Sequence, residues 1–394
     1  MISILVVDFH PKMRHFCAAI TEEGPNRERA LCADLCAVFE VFAMTAISAD
    51  VALKQNTYIG PDVWLAPVVG AIVYPLLVKG FVLSVQAYEA SAIVASKVAL
   101  AAAALVFMGS QLAVPFVALR ALMGMRNSTE PNAPLVRRVL HLAFATPPVV
   151  TVSGFAASAV GVPLNWAWYG GWGLVAMITF LVRKGSSSRS PVTLRDSTRL
   201  RKIHGFSALF LLVGFLALHL GNHLMALWTV QTQNDVMILL RAWYRSTWVQ
   251  PIIIGLFVTM IVTGILLVVR YTANTADKFR TLQTASGGYF AAFIAAHTLA
   301  VFTARANDVD TNWEFAAGGP LGLLHQPWRG ALIDYYALSV FLIVVHTALG
   351  LRIVLLGHHA QERTANRVVY AGTVVGALVT ALIMAAALGL HLGS

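Results

Sequence analysis

Windows of about twenty residues without Asp, Glu, Lys or Arg, such as PIIIGLFVTMIVTGILLVV and VVYAGTVVGALVTALIMAAALGL, constrain this chain more than any other feature. Each is long enough to cross a hydrocarbon layer roughly 30 Å thick. A helix satisfies its own backbone hydrogen bonds where no water can, so these runs are read as transmembrane helices. Composition agrees, because 58% hydrophobic and 12% charged residues in a chain of 394 is too apolar for a soluble domain. The fold class expected is an all-α polytopic membrane protein with membrane lipid as its solvent.

Nine spans are predicted, near 62–86, 91–122, 139–160, 165–182, 203–228, 247–270, 284–304, 333–356 and 368–391. A tenth, near 31–53, is interrupted by Asp34, Glu40 and Asp50, which makes the total about nine or ten. Basic residues cluster in alternate loops: Arg120, Arg126, Arg137 and Arg138, then seven between 183 and 202, then Arg270, Lys278 and Arg280, and last Arg352, Arg363 and Arg367. The excess of Lys and Arg places these loops in the cytoplasm and the acidic 306–332 loop outside. The same topology accounts for the net charge of +10, so no nucleic-acid partner is implied. The polar stretch KGSSSRSPVTLRDSTRLRK reads as a linker, dividing the chain into an N-terminal module, 1–190, of four or five helices, and a C-terminal one, 191–394.

Cys17, Cys32 and Cys36 form no CxxC pair and are too few to hold an iron–sulfur cluster by four thiolates. The opening MISILVVDFHPKMRH lacks the basic-then-apolar order of a cleavable signal.

Chemistry is carried by histidines inside apolar spans, where an ionisable side chain is costly enough to imply a role. His219 lies roughly 14 Å before the outer end of its span at Trp228, and His297 roughly 12 Å before Arg305. The two share a depth on different helices, as two axial ligands of one haem b require. On the opposite-running spans His346 lies roughly 9 Å, and Met260 roughly 15 Å, from the inner boundary. These two read as a second, inner pair, or else Met260 is a gap-filler and His346 a lone ligand or a polar helix contact. His223, one turn beyond His219, reads either as a partner of a haem propionate or as the ligand in its place.

Residues 199–394 resemble the five-helix, two-haem cytochrome b anchor subunit of bacterial succinate dehydrogenases and fumarate reductases. The resemblance rests on Arg201-Lys202-Ile203-His204 followed by His219, on Leu282-Gln283, Ser286-Gly287 and His297, and on His346 with Gly350. It implies a five-helix cytochrome b bundle in which the first and third helices ligate one haem and the second and fourth the other. The second helix departs from the family, carrying Met260-Ile261-Val262-Thr263-Gly264 where the family has H-x-x-x-G. One haem b is therefore expected and a second depends on that helix.

No nucleotide, flavin or nucleophile motif is present, so no dicarboxylate active site is expected on this chain. The resemblance implies instead an electron-transfer subunit between quinone and partner flavoprotein and iron–sulfur subunits, in a bacterial inner membrane. Quinone-binding candidates are His204, Gln283 and Ser286 at the cytoplasmic side, and His223, Trp228 and Trp243 at the outer side. A membrane module that senses haem or quinone and regulates a partner is the alternative reading.

Overall fold

The seven apolar spans that dominate the molecule are helical because nothing but their own backbone can satisfy their N–H and C=O groups. A computed structural model describes residues 63–184 and 197–393. The predicted span at 31–53, the three cysteines and the module boundary near 190 lie outside the described residues. Every described element is a helix or a connection, and no strand occurs among the described residues.

Among the described residues, seven helices are long and apolar enough to span a membrane: α1 (Leu65–Ala90), α2 (Val94–Met125), α6 (Thr198–Met225), α8 (Val249–Tyr271), α9 (Lys278–Ala306), α10 (Ile333–Gly357) and α11 (Glu362–Ala387). The protein is thus an integral membrane protein. Between them come α3 (Ala133–Phe144), α4 (Thr146–Ala159), α5 (Leu164–Lys184) and α7 (Val230–Tyr244). The sequence predicts a single span over 139–160, whereas α3 and α4 meet at a bend of 78°. Pro147 and Pro148 at the start of α4 supply no N–H to the preceding turn, which is why the helix breaks there. The span predicted near 165–182 is α5, which is not among the seven.

The chain divides into two compact units. One contains α1, α2, Val139–Thr146 and the residues of α5. Its core is filled: Tyr74, Leu77, Phe107, Gln111 and Leu122 are almost completely buried. Gly80 lets α1 approach α2 so closely that a Cβ there would lie 2.7 Å from the Phe107 ring. Gln111 donates from its side-chain amide to the Leu77 carbonyl, so the buried polar group is satisfied. Trp168 and Trp172 are buried, and Trp168 donates its indole N–H to the Ala71 carbonyl. Their neighbour Trp166 is exposed.

The other unit contains Arg126–Arg138, Pro147–Leu164 and α6 to α11. Within it α10 and α11 pack through small residues, Gly372 against Ala348 and Gly376 against the Phe341 carbonyl. Two arginines before residue 139 cap the C-terminus of α8. Arg137 is buried and donates to the Thr272 carbonyl at 2.9 Å, while Arg138 donates to the Val269 carbonyl at 3.2 Å. These carbonyls have no partner within the helix, and a cation beside them also complements the helix dipole.

At the opposite end of this unit, a short helix, Trp313–Ala317, is started by Asn312, whose side chain accepts from the Phe315 N–H. Trp313 and Ala317 pack with Ala226, Leu323 and Met384 into one apolar cluster. The C-terminal strap ties down the same region, with the Leu392 N–H donating to the Leu227 carbonyl and the Gly393 N–H to that of Trp228.

Candidate functional site

A cavity of about 1660 Å³ runs through the second unit, from Thr198 and Arg280 at one end to Arg305 and Trp313 at the other. Pockets for a single drug-sized ligand run to about 1,000 Å³. Its walls come from α6, α8, α9 and α10, and His204, His219, His223, His297, His346 and Met260 all line it. Each of these side chains is half-buried, its remaining accessible surface facing the cavity.

The histidines stand at two levels. Toward the Trp313 end, the His219 ring on α6 and the His297 ring on α9 have centres 6.1 Å apart and planes inclined at 72°. Two imidazole nitrogens each about 2 Å from one metal atom put their ring centres roughly 6 Å apart. The ring-centre spacing of the pair matches that requirement. His223 sits one turn nearer the end, with its ring centre 4.6 Å from that of His219 and 5.9 Å from that of Trp313. Its Nε2 lies 3.3 Å from Nε2 of His219, so one of these nitrogens carries a proton and the other accepts it.

Each histidine of this pair rests on a phenylalanine four residues earlier. Phe215 stacks on His219 at 4.9 Å and 18°, and Phe293 on His297 at 5.4 Å and 14°. Residues four apart share a helix face, so the F-x-x-x-H spacing in both helices was legible in the sequence. What was not legible is the π-helical turn at Leu212–Leu216, immediately before His219. Such a turn changes the phase of the following residues and recurs at functional sites. Phe215 belongs to it and also packs against Tyr244 at 4.8 Å and Phe257 at 5.5 Å. Burial pushes the Tyr244 hydroxyl up to about 12, so it remains a proton donor toward the Phe215 carbonyl at ordinary pH.

Toward the Arg280 end the arrangement differs. His204 Nδ1 lies 2.8 Å from the Thr263 hydroxyl of α8, and His346 Nδ1 lies 2.8 Å from the Ser286 hydroxyl of α9. Gly264 and Gly287 give these rings room, since a Cβ at the two positions would lie 3.7 Å and 3.3 Å from Cε1 of His204 and His346. Ser286 is thus engaged by His346. Gln283 accepts from Arg280 at 3.0 Å through its amide oxygen.

No known protein family, curated protein or solved structure matches the chain.

Arginines frame both ends of the cavity: Arg201 and Arg280 at one, and Arg241, Arg245 and Arg305 at the other. Arg241 pairs with Asp310 at 2.7 Å, and Arg245 donates to the Thr311 hydroxyl at 3.0 Å. Burial, then the charges of Arg241 and Arg305, lower Arg245 below the ordinary guanidinium value, while Asp310 opposes them. Three cations against one carboxylate leave this end able to receive carboxylate groups. Trp228 and Trp243 are exposed, as helix ends at a membrane surface are. Among the described residues, no three of His, Cys, Asp and Glu stand together to hold a bare metal ion.

Proposed function

We propose that this chain is a haem-b-containing membrane subunit that passes electrons between a partner's redox centre and quinone, in the manner of the succinate dehydrogenase and fumarate reductase anchors. The observation that carries the reading is the 6.1 Å approach of the His219 and His297 rings, on different helices, across an apolar cavity. Haem iron, when bound, supplies reversible one-electron chemistry. The residues around it do the rest. His219 and His297 supply the axial nitrogens, and Phe215 and Phe293 hold the two rings in orientation. His223, whose Nε2 lies 3.3 Å from that of His219, would either hydrogen-bond a propionate or serve as the ligand in place of His219. Arg245 and Arg305 offer charge-assisted hydrogen bonds to propionates, and Trp313 with its cluster keeps water from that end.

Quinone is the natural electron partner of a lipid-embedded site, because it dissolves in the bilayer and needs an apolar crevice with a few polar donors. Arg280 and the Gln283 amide N–H group provide donors at one mouth of the cavity. On this reading iron–sulfur and flavoprotein subunits dock on the side bearing Arg270, Arg280 and Arg352, which faces the cytoplasm of a bacterial inner membrane.

A reduced-minus-oxidised difference spectrum of the purified chain tests the proposal. A b-type α-band, with about one haem or more per chain, is the expected result. A preparation reconstituted with haem that shows no such band would sink it.

A further inference from the structure

The C-terminal strap, residues 388–393, is held in a slot between the end of α6 and the loop that follows the Trp313–Ala317 helix. Two glycines make the slot. A Cβ on Gly322 would lie 2.5 Å from the Leu388 carbonyl carbon, and one on Gly389 would lie 2.9 Å from the Leu321 carbonyl oxygen. Both have φ in the left-handed region, at +81° and +93°, which glycine adopts without steric cost. Beyond them the Leu392 and Gly393 N–H groups donate to the carbonyls of Leu227 and Trp228 at 2.8 Å each.

His391 sits among these contacts and reaches both walls of the slot. Its Nδ1 lies 2.6 Å from the Ala226 carbonyl oxygen at the end of α6, and its Nε2 lies 3.2 Å from the Pro320 carbonyl oxygen in the loop. A carbonyl oxygen only accepts, so each contact is a hydrogen bond only when the ring nitrogen carries a proton. Neutral imidazole has one N–H and makes one of the two bonds, leaving a lone pair turned toward a carbonyl oxygen. Imidazolium has two and makes both. The cross-link from α6 to the loop is therefore complete only in the charged ring.

The elements around this ring carry other titratable groups. Glu314 and Arg329 stand against Gly319 and Gly318 of the loop, and the Arg329 guanidinium donates to the Glu314 carbonyl. His325 follows in the same loop, Asp235 of α7 accepts from the Gln231 side chain at 2.7 Å, and His223 of α6 lines the cavity. Among the described residues none of these meets a nitrogen of His391, so the two carbonyls hold the ring.

What the strap secures is the end wall of the cavity. Ala226, Trp313, Ala317, Leu323, Met384 and Ala387 belong to one apolar cluster, and four of them, Trp313, Ala317, Met384 and Ala387, also line the cavity. The strap continues directly from α11 and clips the α6 side of that cluster to the loop side.

We infer that His391 is a proton-operated latch on this end of the cavity. Charged, it ties the strap to α6 and to the loop and keeps the Trp313 wall shut. Neutral, it releases one side, and the strap and the Trp313–Ala317 helix open more often to water. The closed form uses the second proton, so the strap is tightest at low pH and loosens as pH rises through the histidine range of about 5 to 8. The pH that acts is that of the water at the Trp313 end, and the latch works whether or not the cavity holds haem.

Hydrogen exchange of the full chain, read by mass spectrometry at about pH 5 and about pH 8 and corrected for the intrinsic pH dependence of exchange, tests the latch. Protection of the Leu392 and Gly393 amides should fall roughly 10–100-fold from the lower pH to the higher, the factor carried by one hydrogen bond to a charged group. The amides of 313–318 should lose protection with them. His391→Gln, which does not titrate, should give the same protection at both pH values, and His391→Ala should leave the strap loose at both. Equal protection of the unaltered strap at the two pH values would overturn the inference without any variant. So would a pH dependence that persists in His391→Gln, or a strap that loosens while the Trp313–Ala317 helix does not.

Discussion

The two units are built from similar apolar helices yet solve opposite problems. In the unit of α1 and α2, large side chains interlock, and Gly80 exists to admit the Phe107 ring. In the unit of α6 to α11, the helices stand around about 1660 Å³ of internal space lined by six histidine and methionine side chains of interest. Core interiors pack to a density of roughly 0.75, so the first unit is stabilised by its own contacts. The second forgoes many of those contacts and, on the proposed reading, gains stability from the haem it binds. Substitutions should therefore register as lost stability in one unit and as lost or altered cofactor in the other.

The largest expected effect is at the His219 and His297 pair. On the proposed reading, replacing either by alanine should remove the haem they hold, seen as the loss of one haem equivalent per chain and its share of the α-band. Retention of full haem content in either variant would break the comparison at its strongest point. Next is Phe107→Ala, which should cost about 3–5 kcal/mol through a cavity in the packed unit. It should lower the thermal midpoint while leaving the haem spectrum unchanged, and a change in haem ligation would show that the contrast is false. Smaller again is Gly287→Ala, whose Cβ would press the His346 ring from 3.3 Å and, on the haem reading, should shift the absorption spectrum without lowering haem content. The smallest is Tyr244→Phe, which removes one hydroxyl and should cost about 1 kcal/mol. With the phenol pushed up to about 12, no activity change from this group is expected between pH 6 and about 10.

Much of this was legible in the residues. The nine spans predicted from apolar windows include the seven long apolar helices, and counting residues from helix ends brought His219 and His297 to one depth. The bend between α3 and α4 was signalled by Pro147 and Pro148, though its angle was not. Other features depend on tertiary placement. The partner of His204 is Thr263, 59 residues away, and no periodicity announces which hydroxyl will meet a ring nitrogen. The π-helical turn before His219 has no residue signature, since Leu212–Leu216 reads as ordinary apolar helix. Trp168 and Trp172 look like membrane-surface anchors because both roles favour tryptophan, and only packing shows them buried. Arg137 and Arg138 read as topology signals and prove to be helix caps as well.

Those two arginines carry an implication for how the gene can be cut. A fragment starting at residue 191 would keep every histidine discussed above, yet it would leave the Val269 and Thr272 carbonyls without the guanidinium groups that close α8. The end of α8 nearest Gly264 and His204 would then be free to fray. A shortened gene that keeps this end of α8 closed should thus begin before residue 126 or supply the two cations from elsewhere, since Arg126–Arg138 belong to the same compact unit as α8.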